Sequence, residues 1–200
     1  MEYIKPGIGL LGAAILGLGL FFVFEVYIAA DEGDSFTNQV ISKEAPLSAL
    51  PVQLQIPSIK IDAFVQTVGL AEDSVGEMAV PDNFTDVGWY KYGPRPGMPG
   101  SAVMAGHLNG KNVPEAVFYN LGEVEIGDHV MVIGEDGTVL TFTVVDVRIY
   151  AHDADTEEVF VSNDGVVRLN LITCAGDWLS NEDLYEERTV IFTELLSETE

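Results

Sequence analysis

Apolar and polar residues alternate in short runs along most of the chain. Val52-Gln53-Leu54-Gln55-Ile56 alternates, Pro57-Ser58 breaks the pattern, and Ile59-Lys60-Ile61-Asp62-Ala63-Phe64-Val65 resumes it. A period of two puts successive side chains on opposite faces of a sheet, so both runs are predicted strands. Further strands are predicted over 101–105, 130–133, 139–150, 166–173 and 189–195. Glu135-Asp136-Gly137 between two of these predicts a hairpin. One helix is predicted over 114–121, with Pro114 in its first turn and Gly122 just past its end. Evenly spaced strands with turn signals between them predict a mainly β fold, a closed or nearly closed barrel. The chain has no internal repeat and no low-complexity tract.

The N-terminus follows a different pattern. Residues 7–24 are an unbroken apolar run, and after Glu25 the apolar character resumes through Ala30. A helix needs roughly 20 apolar residues to cross a bilayer core. A secretory signal has a shorter apolar core of about 7–15 residues, and Ile28-Ala29-Ala30 is only a passable cleavage site. A retained transmembrane anchor is therefore preferred over a cleaved signal. Lys5 precedes the span, whereas Asp31, Glu32 and Asp34 follow it, which places the N-terminus in the cytoplasm and the body outside. The expected organisation is a cytoplasmic tip and anchor at 1–30, an extracellular linker at 31–50, a β-barrel at 51–196 and a tail at 197–200.

Composition narrows the function. Nine Lys and Arg face 32 Asp and Glu, a formal charge of -23. Nucleic-acid binding needs clustered positive charge, so this class is excluded, as is a polybasic grip on anionic lipid. A solvated acidic surface is the simple reading of the charge. Cys174 is the single cysteine, which excludes an internal disulfide, a Cys-rich zinc site and a CxxC redox pair.

That lone thiol is either a small buried hydrophobe or a nucleophile. Leu169-Asn170-Leu171-Ile172-Thr173-Cys174 is read as a strand ending at the cysteine, broken by Ala175-Gly176-Asp177. On a two-residue period Leu169, Leu171 and Thr173 share the inward face, and Cys174 points out of the barrel. A free thiol has a pKa of about 8.5 and needs a neighbour to ionise it. Of His107, His129 and His152, His107 has the best context, at the end of a predicted strand after Gly106. Arg188 opens the last predicted strand, 14 residues beyond Cys174. It serves either as an oxyanion donor beside the thiol or as a surface ion-pair partner of Glu186 or Glu187.

Taken together, these residues resemble the sortases. Leu171-Ile172-Thr173-Cys174 is similar to that family's TLxTC signature, and Gly106-His107 and the strand carrying Arg188 match its histidine and arginine motifs. The segment 114–121 followed by Gly127-Asp128, and Leu54-Gln55-Ile56-Pro57-Ser58-Ile59, resemble the class E and class F-like groups in particular. The resemblance covers roughly residues 50–196. It implies a closed eight-stranded β-barrel with one or two short helices, preceded by a single N-terminal transmembrane helix. It also implies a cysteine transpeptidase. Cys174 would attack the Thr-Gly bond of an LPXTG-like sorting signal on a surface protein. A thioacyl enzyme would form and pass its acyl group to an amine, from a cell-wall precursor or a pilin lysine. His107 would act as acid and then base, Arg188 would hold the oxyanion, and Thr173 would support the substrate. The resemblance implies thiolate and imidazolium as the active pair. No cofactor is expected. The acidic stretch 153–158 suits either a solvated loop or calcium, and no required metal is expected.

Two other readings remain open. One is a different thiol acyltransferase or peptidase. His107 and Cys174 lie far apart in sequence, which disfavours a short local His-Cys motif, and the order His before Cys disfavours a papain-like arrangement. The other is a non-catalytic surface barrel with a structural cysteine.

Overall fold

The computed structural model describes residues 49–72, 76–182 and 184–196. The apolar span at 7–30, nearly all of the expected linker and the tail at 197–200 lie outside the described residues. Among the described residues no helix is long and apolar enough to cross a membrane.

Eight strands close into one barrel among the described residues: β1 (Pro51–Ile56), β2 (Ile61–Val68), β3 (Val87–Tyr90), β4 (Gly100–Ala105), β5 (His129–Gly134), β6 (Val139–Ala151), β7 (Val167–Leu179) and β8 (Leu184–Leu195). The order around the barrel is β1-β2-β3-β4-β7-β8-β6-β5, returning to β1. The β2–β3 and β4–β7 pairs are parallel, and the others are antiparallel. Closure leaves no free sheet edge.

The alternation read from the sequence sorts residues as expected. Leu54, Ile56 and Ala63 point into the barrel with Met104, Phe142, Leu169, Leu171 and Ile191. Gln53 and Asp62 point outward and hydrogen-bond each other. The predicted hairpin joins β5 to β6, and the Asp136 carboxylate accepts the Thr138 N–H at 2.9 Å. A smaller apolar cluster lies on the outer face, where Val103, Val190 and Phe192 pack against Val159. Val159 belongs to a one-turn helix, α1 (Glu157–Phe160). Buried Asn170 donates from Nδ2 to the Val159 carbonyl at 2.7 Å, which ties α1 to β7.

The structure corrects four expectations. Segment 114–121 is a run of turns with a 3₁₀ turn at Leu121–Glu123, not a helix. Its amides bond across the fold, Ala116 to Leu108, Val117 to Phe84 and Phe118 to His107, so they are not available for a helical ladder. The one-turn helix overlaps the end of the stretch read as an acidic loop, at Glu157 and Glu158. Glu158 there bonds Tyr150 and Arg148, and Val159 supplies the apolar contact that docks the turn. β3 was not predicted, because Val87-Gly88-Trp89-Tyr90 does not alternate. Finally, β7 does not end at Cys174 and β8 does not start near Arg188. Both continue into a long hairpin, with an irregularity in β7 between Ala175 and Trp178.

Candidate active site

Cys174 and Arg188 are direct antiparallel partners, and their neighbours Thr173 and Thr189 are paired one step further along. β7 also runs parallel to β4, and the last residue of β4, Ala105, lies beside Ile172. The chain leaving β4 therefore emerges next to Cys174. Gly106 donates its N–H to the Ile172 carbonyl at 3.2 Å and accepts the Thr173 hydroxyl at 2.8 Å. These two bonds place His107 at the same end of the barrel. Thr173 is buried and bonded to backbone, so it holds the strand ends together.

Gly106 is required by packing. A Cβ there would lie 2.6 Å from the Phe118 ring and 2.8 Å from Val117. Phe118 in turn donates its N–H to the His107 carbonyl at 3.0 Å. The His107 ring packs on Phe84, with centroids 4.9 Å apart, and its Nε2 lies 2.9 Å from the Pro81 carbonyl oxygen.

The bulge in β7 shapes the far side. Two β7 residues are accommodated opposite one on β8, so Trp178 lies across from Tyr185 and their rings meet edge-on at 5.0 Å. Gly176 sits in the bulge at φ 72°, the left-handed region that favours glycine. Tyr185 reaches across and donates its hydroxyl to Asn109 Oδ1 at 2.7 Å.

Two clefts meet at these groups. One, of about 740 Å³, runs between residues 107–111 and the β7–β8 hairpin, with Trp178 and Tyr185 in its wall. The other, of about 360 Å³, is lined by Met78, Val80, Phe160 and Ile172. His107, Cys174 and Arg188 line both. Burial pushes the Cys174 thiol up, and the Arg188 charge pulls it partly back down. Arg188 donates from Nη1 to the carbonyls of Tyr185 (3.0 Å) and Glu187 (2.9 Å). One end of its guanidinium is thus fixed by backbone, where the alternative reading had placed carboxylates.

The other histidines separate. His129 opens β5 and is exposed. His152 lines the smaller cleft, donates its backbone N–H to the Glu186 carbonyl and has Nε2 3.8 Å from the Glu182 carboxylate. Among the described residues no three His, Cys, Asp or Glu side chains converge as a metal-ligating group. Residues the sequence reading missed are Tyr185, Phe84 and Pro81. Tyr185 carried a faint signal, as an aromatic residue within an acidic stretch. Phe84 and Pro81 lie in a connection whose contact with His107 is purely tertiary.

A closed barrel that brings a thiol, an imidazole and a guanidinium to one open groove defines an enzyme suited to covalent acyl transfer. The family model for the Sortase domain matches residues 54–196, so the chain belongs to the sortase family and is a cysteine transpeptidase. Solved structures agree on the fold. Sortase C1 of Streptococcus agalactiae, in complex with MTSET, is 20% identical with a TM-score of 0.57, covering 92% of this chain and 89% of that one. Sortase C-1 of Actinomyces oris is 22% identical with a TM-score of 0.56, covering 74% and 75%. A lid mutant of sortase A from Corynebacterium diphtheriae is 16% identical with a TM-score of 0.57, covering 76% and 73%. No curated protein matches the chain significantly in sequence.

Proposed function

We propose that this sortase is a membrane-anchored, class E or class F-like enzyme that cleaves an LPXTG-like sorting signal between Thr and Gly and transfers the acyl group to an amine. The observation that carries the reading is the cross-strand pairing of Cys174 with Arg188 in a groove shared with His107. Cys174 attacks the Thr carbonyl as thiolate, and Arg188 stabilises the oxygen that becomes negative. His107, as imidazolium, gives its proton to the leaving Gly amine as the C–N bond breaks, and a thioester remains. The same imidazole then takes a proton from the incoming amine as the C–S bond breaks and the thiolate returns. Thr173 supports this geometry through its bond to Gly106.

Met78, Val80, Phe160 and Ile172 in the smaller cleft suit the Leu and Pro side chains of such a signal, and the larger cleft is assigned to the amine. The acceptor is a cell-wall precursor or a pilin lysine. The span at 7–30 anchors the enzyme with the barrel outside the cell. Incubation with a library of LPXTG-like peptides and amines, read by product mass, tests the reading. Transpeptidation products at a Thr-Gly junction that vanish in Cys174→Ala are expected. Products formed equally by that variant would remove Cys174 from the reaction.

A further inference from the structure

Nothing in the chemistry above requires the connection between β2 and β3, yet residues 81–86 of that connection hold the His107 ring from two sides. A carbonyl oxygen only accepts hydrogen bonds, so the 2.9 Å contact between His107 Nε2 and the Pro81 oxygen places a proton on Nε2. Phe84 packs on the same ring and donates nothing to it. The segment is itself pinned. Asn83 Oδ1 accepts the N–H groups of Thr85 and Asp86 at 2.9 and 2.8 Å. Gln66 on β2 donates to Asp82 at 2.6 Å and to Asp86 at 3.0 Å. The Phe84 carbonyl accepts the Val117 N–H at 2.9 Å. Six residues are thereby fixed to β2 on one side and to the chain behind His107 on the other.

We propose that residues 81–86 are a positioning element of the transpeptidase: the Pro81 carbonyl keeps the Nε2 proton of His107 throughout the cycle, so Nδ1 is the nitrogen that exchanges protons with the substrate amines. This deepens the proposed function and rests on its assignment of His107 as acid and base. The proton count is simple. In the imidazolium both nitrogens carry protons, and the Nδ1 proton leaves with the departing amine as the C–N bond breaks. The neutral ring keeps Nε2–H on Pro81, and its Nδ1 lone pair accepts the proton of the incoming amine. The Pro81 oxygen accepts from Nε2–H in both protonation states of the ring. Other charges also face this end of the barrel: Cys174 and Arg188 from β7 and β8, Lys111 from the chain after His107, and His152 from the end of β6. Glu77, Asp82 and Asp86 belong to the β2–β3 connection itself. The test must therefore read His107 directly.

The experiment uses ¹⁵N-histidine NMR on the intact enzyme, together with a variant in which the 81–82 peptide bond is an ester. Incorporating the α-hydroxy analogue of aspartate at position 82 weakens the Pro81 oxygen as an acceptor. The same change removes the Asp82 N–H, which reaches Gln66 Oε1 at 3.3 Å, so Gln66→Ala serves as the comparison. Neutral His107 is expected as the Nε2–H tautomer. The ester should raise the Nδ1–H share of the neutral ring and reduce kcat by roughly threefold to tenfold beyond Gln66→Ala. A neutral Nδ1–H tautomer in the unmodified enzyme would overturn the proposal, even if the ester variant fails to fold. So would a tautomer ratio and kcat matching Gln66→Ala. His107→Ala separates the underlying assignment: full transpeptidation by that variant removes His107 from the chemistry, whatever its tautomer.

Discussion

Tyr185 and Asn109 are 76 positions apart in sequence, yet the Tyr185 hydroxyl donates to Asn109 Oδ1 at 2.7 Å. The bond joins the β7–β8 hairpin to the chain that follows His107, and both residues line the larger cleft. The hairpin that carries Arg188 is thus coupled to the segment that carries His107 by a contact separate from the barrel ladder. Tyr185→Phe removes the hydroxyl and keeps the ring against Trp178. The expected loss of stability is about 0.5–1.5 kcal/mol, the usual net value of one hydrogen bond. If the larger cleft takes the amine, KM for the amine should rise while peptide hydrolysis stays near normal. Steady-state kinetics with and without acceptor separate the two, and an equal loss in both would contradict that division of the groove.

Arg188 offers the sharpest contrast between roles. A donor to a developing oxyanion is worth about 10²–10³ in rate, and Lys lacks the planar fork that Arg presents. Arg188→Lys and Arg188→Ala should each lower kcat/KM by that order. The unfolding midpoint should change little, since the Arg188 side-chain bonds go to two carbonyls of its own half-buried strand, Tyr185 and Glu187. Near-normal rates in both variants would show that the oxyanion is held by another group.

The pH behaviour of Cys174 follows from burial opposed by the Arg188 charge, with burial the larger effect. Alkylation by iodoacetamide should therefore have its midpoint above that of a free cysteine, and Arg188→Ala should move it higher still. The linkage has a definite sign. Below the unfolded thiol pKa of about 8.5 the group is neutral in both states and contributes nothing. Above it the unfolded chain ionises first, so stability falls as pH rises toward the folded value. Cys174→Ala should abolish that alkaline loss, measured as unfolding free energy against pH. A thiol that alkylates with a midpoint below that of free cysteine would reverse the assignment of the dominant effect.

The barrel was legible because its signal is local. Leu54, Ile56 and Ala63 alternate with polar residues, and a two-residue period leaves one arrangement that buries them. The same period gave the inward face of Leu169 and Leu171. Strand β3 escaped because Val87, Gly88 and Trp89 are all buried, so no alternation marks it. The false helix over 114–121 had proper end signals, but Phe118 drops fully into the core and its neighbours bond to Leu108 and Phe84, partners that no local pattern contains. In the site, Cys174, His107 and Arg188 stood out by scarcity and motif. Pro81 and Phe84 did not, because what they contribute is a backbone carbonyl and a ring brought to His107 by the path of the β2–β3 connection.

The bulge at Gly176 gives a prediction in which geometry and chemistry meet. Gly176 combines φ 72° with a neighbouring Glu186, whose Cγ would lie 2.6 Å from an added Cβ. Gly176→Ala therefore carries backbone strain and a clash at the middle of the side chain, together about 1–3 kcal/mol. Relief by removing the bulge would slip the outer hairpin by one residue and turn Trp178 away from Tyr185, the pairing that now faces the larger cleft. The variant should lower the unfolding midpoint. It should also alter acceptor use more than peptide cleavage, because Cys174 and Arg188 pair on the barrel side of the bulge. Gly176→Ala combined with Glu186→Gly should recover part of the stability by clearing the clash, while the backbone strain persists. Unfolding midpoints for the two variants, with amine KM measured alongside, give the answer. A Gly176→Ala enzyme as stable as the parent, with unchanged acceptor kinetics, would mean that the bulge does not set the position of Trp178 and Tyr185.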